Sequence, residues 1–206
     1  VLRDNAEELL TYEITQHLID RIEETSPKLI EELIPDNLSM SVVVKVLQNL
    51  LSEGVPIKDM RSILETLSDA APYTKAPDAL TNYVRTKLGR LIVQQVCDPL
   101  ETLEVVTLEP NLEQILTDLV KSASSIDEVT LEPNLAQTLI ESLSEEVSIA
   151  QENERAAVLI VSPIIRTWLS IFIGKLKKEL SVLSYKEVPD DQSIKIIRTI
   201  ELTERE

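Results

Sequence analysis

Residues 45–77 read KVLQNLLSEGVPIKDMRSILETLSDAAPYTKAP, two amphipathic runs separated by a hard stop. Val46, Leu47, Leu50 and Leu51 fall at helical spacing on one face. Gly54 then frees the backbone to enter the left-handed conformation that ends a helix. Pro56 is expected at or next to the first turn of a second helix, where its missing N–H costs nothing. Ile57, Met60, Ile63, Leu64 and Leu67 continue the apolar stripe until Pro72 and Pro77 close it. The stretch predicts a helical hairpin, and periodicity alone attaches no function to it.

The same texture extends to both sides. Leu2, Ala6, Leu9, Leu10, Ile14, Leu18 and Ile22 repeat at about 3.6 residues and predict one long first helix. Ser26-Pro27 caps a short helix that ends at Pro35, and Ser39 starts a third through Val42, Val43, Val46 and Leu50. The fourth helix is expected over 57–70, and the fifth from a cap at Asp78 to Val96. Residues 1–97 are therefore expected to form an all-helical subdomain with short connections.

After Cys97-Asp98-Pro99 the pattern changes. Leu103, Val105, Val106, Thr107 and Leu108 predict a strand, and Pro110 opens a helix through Leu112, Ile115, Leu116 and Leu119. The heptapeptide VTLEPNL at 106–112 recurs at 129–135 and is read as a second strand-to-helix corner. In each copy proline sits in the first turn, with Glu109 or Glu132 at the positive end of the helix dipole. Two copies are too few for a solenoid. AAVLIV at 156–161 suits a strand covered on both faces. Ser162-Pro163 opens a helix through Ile165, Trp168, Leu169, Phe172 and Leu176, and two strands follow at 182–185 and 194–200. The expected fold class is α+β: a helical subdomain at 1–97, then a smaller α/β sandwich with a mixed sheet at 98–206.

Composition narrows the function classes. The net charge is −16 and both halves are acidic, which disfavours nucleic-acid binding and attachment to an anionic membrane surface. The charge either keeps the surface soluble or favours a partner with a basic face. Cys97 is the only cysteine, so no internal disulfide can form and a reducing compartment is expected. No apolar run approaches the ~20 residues of a membrane-spanning helix.

Reactive constellations cannot be assembled from these residues. His17 is the single histidine, expected at the surface, so a histidine-based acid–base pair or metal cluster has no second member. Cys97 follows an apolar helix end with no histidine nearby in sequence and reads as a buried, inert thiol. Three scattered glycines do not build a phosphate loop. The pairs Glu23-Glu24, Glu31-Glu32, Glu145-Glu146 and Asp190-Asp191 lack calcium-loop spacing and read as solvated faces. Trp168 and Phe172, four apart on one helix, read as core packing. No catalytic, metal or cofactor-binding residue is expected, no cofactor is required, and no partner-binding residue is assigned.

The literal wording adds what periodicity does not. The string at 45–77 closely resembles the helical subdomain of the flagellar and type III secretion export-gate proteins, the FlhA family (FHIPEP). PKLIEELIP at 27–35, LTNYVRTKLGRLIVQQ at 80–95 and VLSYKEVP at 182–189 agree with the flagellar branch in order and spacing, and the wording of the last leans toward that branch. Leu10-Thr11-Tyr12-Glu13-Ile14 replaces the family's usual Leu-Gly-Arg-Gln-Glu type stretch, and Lys58 replaces its usual arginine. The resemblance implies a cytoplasmic scaffold at the inner membrane that assembles as a ring and helps order the delivery of export substrates and their chaperones. It also implies an excised soluble piece of a membrane-anchored protein, with the main chaperone-docking site upstream of Val1. Two alternatives stay open: the equivalent domain of a virulence-type injectisome, or an unrelated soluble α/β protein that binds a small molecule. A carboxylate-based hydrolase would need a metal.

Overall fold

In the computed structural model, which describes residues 9–174, 176 and 179–201, the chain divides into two compact units, Val1–Gly89 and Arg90–Glu206. The first holds α1 (Tyr12–Glu23), α2 (Pro27–Leu33), α3 (Met40–Ser52), α4 (Met60–Ala70) and α5 (Pro77–Lys87), and a short α6 (Gly89–Val93) begins at its last residue.

The stop between α3 and α4 forms as its glycine requires. Gly54 sits at φ +73°. Its N–H donates to the Leu51 carbonyl at 3.0 Å, and the Val55 N–H donates to the Leu50 carbonyl at 2.9 Å. Those two bonds satisfy two of the last carbonyls of α3, and buried Val55 and Leu50 provide the apolar contact that goes with this helix ending. Pro56 and Ile57 do not enter the next helix. Asp59 caps it instead, its Oδ1 accepting from the Ser62 N–H at 3.1 Å, so α4 starts at Met60 rather than 57. Val43, Val46, Leu47 and Leu50 of α3, Ile63, Leu64 and Leu67 of α4, and Leu80 and Val84 of α5 are fully buried. α5 packs on both α3 and α4, α2 on α4, and α1 against α2, α3 and α4.

Two other helix expectations are corrected. Leu2 and Ala6 lie outside the described residues, but the proposed first helix breaks before Thr11. The Thr11 hydroxyl accepts from the Ile14 N–H at 3.3 Å and starts α1 afresh. The register therefore turns: Leu9 and Ile14 are exposed while Thr15 and Ile19 are buried. The fifth helix does not run from Asp78 to Val96. Asp78 lies in the first turn of α5, whose N-terminal flank is Ala76, and α5 ends at Lys87 with Leu88 as its C-cap.

In the second unit β1 (Leu103–Leu108) leads into α7 (Pro110–Ser122), a 3-10 turn at Ile126–Glu128, α8 (Pro133–Glu152), β2 (Ala157–Val161), α9 (Pro163–Phe172), β3 (Leu180–Ser184) and β4 (Ile194–Ile200). The sheet order is β3-β2-β1-β4, and every pairing is parallel. The expected mixed sheet is thus overturned. β3 and β4 look like a hairpin because no helix separates them, yet 185–193 carries the chain past β2 and β1 to the far edge, where β4 runs parallel to β1. Three strand spacings are about 14 Å, well within the reach of that connection.

The repeated heptapeptide forms one strand, not two. At 106–108 its first residues pair in β1, whereas Val129 flanks the 3-10 turn and Thr130 and Leu131 join no sheet. The helix start is common to both copies. The Glu109 and Glu132 carboxylates accept from the Leu112 and Leu135 N–H groups at 3.0 and 3.2 Å. Each glutamate is therefore the N-cap of its helix, with proline following at the first position. The core between sheet and helices joins Val106, Leu159, Val161, Leu112, Leu143, Ile165 and Leu169. Trp168 and Phe172 stack there at 5.0 Å, as expected of core packing.

Candidate functional site

Chemistry-bearing residues are the first candidates, and the structure disperses them. His17 is exposed on α1. Cys97 is half-buried rather than buried, its Sγ directed at the Asp98 and Glu101 carbonyls at 3.4 and 3.7 Å. Partial burial, reinforced by the Glu101 and Asp98 carboxylates, pushes its thiol above the usual range, the opposite of an activated nucleophile. Among the described residues no three His, Cys, Asp or Glu side chains form a group that could hold a metal ion.

One acidic pair is not the solvated face its sequence suggested. Glu146 on α8 is 1% exposed. Arg155 donates to its Oε1 at 2.5 Å, and Arg198 on β4 approaches its Oε2 at 3.6 Å while donating to Glu145 at 2.6 Å. Two guanidiniums thus neutralise a buried carboxylate where helix meets edge strand, as burial of a charge demands. The Arg198 guanidinium is raised further, first by its hydrogen bond to Glu145. Asp191 of another pair bonds Arg90 at 2.8 Å in the open, which lowers its carboxyl below the usual range.

The wording VLSYKEVP also acquires a physical reason. β1, β2 and β3 end on the same side of the parallel sheet, and the motif ties those ends together. The Tyr185 hydroxyl donates to the Glu113 carboxylate at 2.7–2.8 Å. Glu113, in the first turn of α7, also accepts from the Ser162 N–H at the start of α9, at 2.6 Å. Desolvation, with the Glu113 carboxylate beside it, raises the Tyr185 hydroxyl far above its ordinary range. Two residues on, Glu187 is 2% exposed, accepts from the Ser184 hydroxyl at 3.1 Å and faces buried Arg166 of α9 at 3.7 Å. Hydrogen bonds tie Tyr185, Glu113 and Ser162 together and an ion pair joins Glu187 to Arg166, an arrangement suited to holding strand ends in register.

In the first unit the same holds for the string at 45–77. Glu53, beside Gly54, pairs at 2.7 Å with Arg85 of α5, which is 3% exposed. The Asn49 amide donates to Asp78 and Thr81 at 3.1 and 3.3 Å. The polar letters of the motif therefore bolt α3 to α5, and no spacing rule in the sequence pairs residue 53 with residue 85. The exposed feature of this unit is a shallow pocket of ≈ 280 Å³ between α4 and α5, lined by Thr66, Asp69, Ala70, Tyr73 and Tyr83. Exposed tyrosines around an apolar floor are typical of protein-binding surfaces.

The flagellar biosynthesis protein FlhA of Proteus mirabilis is 38% identical over 204 residues, covering 97% of this chain and 28% of that protein. The chain thus spans little more than a quarter of such relatives. Among solved structures, the Shigella flexneri MxiA protein superposes with a TM-score of 0.83 at 25% identity, covering 97% of this chain and 64% of that one. Nonameric EPEC SctV-C does so with a TM-score of 0.84 at 26% identity, over 97% and 60%. These likenesses replace the reading as an unrelated small-molecule-binding protein. With the FHIPEP family's sequence profile matching residues 1–193 throughout both units, the chain belongs to the FHIPEP family.

Proposed function

We propose that the chain is part of the cytoplasmic scaffold of a flagellar protein-export gate, at the inner face of the bacterial inner membrane. There it takes part in ring assembly and in ordered delivery of export substrates and their chaperones. The observation that carries this reading is the family match over residues 1–193, joined to 38% identity with a flagellar relative against 25–26% with the injectisome neighbours. The nonameric state of EPEC SctV-C supports a ring for the complete protein.

In this reading the chain works by presenting surfaces and no bond is made or broken on it. Residues 1–97 act as a helical subdomain and 98–206 as an α/β subdomain. The tyrosine pocket of the helical unit is the first surface to test for contacts within the ring. The main chaperone-docking site lies upstream of this segment, and neither nucleic acid nor membrane touches the segment itself. The test is a chimera in which this chain replaces the matching segment of a flagellar relative, in a strain lacking the native protein. Restored secretion of flagellar proteins and swimming are expected. A chimera that accumulates in the membrane at normal levels and exports nothing would refute the proposal.

A further inference from the structure

β4 is an edge strand: among the described residues β1 is its one neighbour, and its other side carries no strand. An unpaired edge presents backbone N–H and C=O groups that accept an added strand unless the sequence blocks them. One irregularity interrupts the edge, where the β4 register shifts between Val105 and Val106 so that Ile196 and Arg198 face consecutive β1 residues, but other blocks are missing. Ile194–Ile200 reads IKIIRTI and contains no proline. The two basic residues, which would repel a basic strand, are drawn onto their own partners, Lys195 to Glu104 at 2.7 Å and Arg198 to Glu145 at 2.6 Å.

The two sides of this edge differ in chemistry. Ile194 and Ile196 alternate onto one face, opposite Leu103 and Val105, and are 47% and 61% exposed. Beside α8 an open groove of ≈ 590 Å³ is lined by Glu141, Ser142, Glu145, Arg198, Thr199 and Glu201 among others, three carboxylates against one guanidinium. Successive residues of a strand laid along β4 would face these two environments in turn on each side of the register shift opposite Val105 and Val106. We infer that the β4 edge is a docking site for an extended segment of a partner protein in which apolar and basic residues alternate, entering the sheet as its fifth strand. The apolar set covers Ile194 and Ile196, and the basic set faces the acidic groove. A second copy of this chain is the poorer occupant, because joining two such edges would oppose like-charged grooves. The inference does not depend on the ring reading.

The test uses the 206-residue chain and a fluorescent peptide of alternating lysine and valine long enough to span β4, followed by anisotropy. Saturable binding is expected, weakened about tenfold by Ile196→Lys and by Glu141→Gln with Glu201→Gln. These positions are exposed, and circular dichroism checks that each variant is folded. N-methylation of the alternate residues whose amides face β4 should abolish binding, while methylation of the other set should leave it. The proposal is overturned by equal binding of a block peptide of the same composition, or by binding that survives both methylation patterns. No saturation up to about 1 mM peptide also overturns it. So does self-association of the chain that Ile196→Lys abolishes, which would make a second copy the occupant.

Discussion

Truncating Leu64 to alanine probes the claim that the motif's apolar stripe is a core and not a binding groove. Leu64 is fully buried between Ile63 and Leu67 on α4. Removing three carbons forfeits about 2.4 kcal/mol of transfer free energy at about 0.8 kcal/mol each. Helices α1, α2 and α5, all packed on α4, limit collapse into the void, so a cavity cost adds and the total falls at about 2–5 kcal/mol. With a urea m-value of about 1–3 kcal/mol/M, the midpoint of the helical unit should drop by about 1 M or more. Far-ultraviolet circular dichroism during urea titration reads this transition. Trp168, the only tryptophan, lies in the other unit and reports that unit separately by fluorescence. Ile196→Ala, at an exposed position, is the control and should cost less than about 0.5 kcal/mol. A Leu64→Ala loss below that same level, with unchanged m, would mean that the stripe is solvent-exposed and the packing argument wrong.

Other perturbations address the polar ties. Glu53→Gln removes the carboxylate facing buried Arg85 and should cost about 3 kcal/mol in the same urea assay, of which the Glu53→Leu, Arg85→Met double variant recovers a large part. The Tyr185 hydroxyl, raised by desolvation and by Glu113, is favoured neutral in the folded state. Its stabilising effect is therefore complete below the ordinary tyrosine range of about pH 10 and is lost as pH climbs toward its folded value; in an ultraviolet titration, Tyr185→Phe should delete the component that ionises above that range. Cys97, with its thiol raised, should alkylate more slowly than a free thiol at neutral pH, and Asp98→Asn with Glu101→Gln should speed it several-fold. Calorimetry of the isolated chain against a substrate-loaded export chaperone should show no micromolar binding; such binding would place a docking site in this segment and refute that part of the proposal.

Local rules in the sequence reached as far as local physics does. Gly54 ended α3 where predicted, and the alternating and continuous apolar runs located β1, β2, β3 and β4. The failures share a cause. Asp59 displaced Pro56 as the start of α4, and Thr11 split the first helix, because a side-chain cap outbids a periodic pattern at its margins. The sequence pattern suggests a mixed sheet because strand order depends on where 185–193 crosses, and no local pattern encodes that. Glu146 passed for a surface residue because its partners, Arg155 and Arg198, arrive from later in the chain. Glu113 and Arg166 gave no signal, since only the fold brings them to Tyr185 and Glu187. The family wording at 45–77 and 182–189 was legible, but its reason, Glu53 on Arg85 and Tyr185 on Glu113, appears only in three dimensions.

The ring is the point at which the account is most exposed. Electron microscopy of the chimera in which this chain replaces the matching segment of a flagellar relative, extracted from membranes, measures it directly. Closed particles with nine-fold symmetry, as in nonameric EPEC SctV-C, are predicted. Particles that remain monomers or dimers at every concentration, while the same preparation supports export, would contradict it.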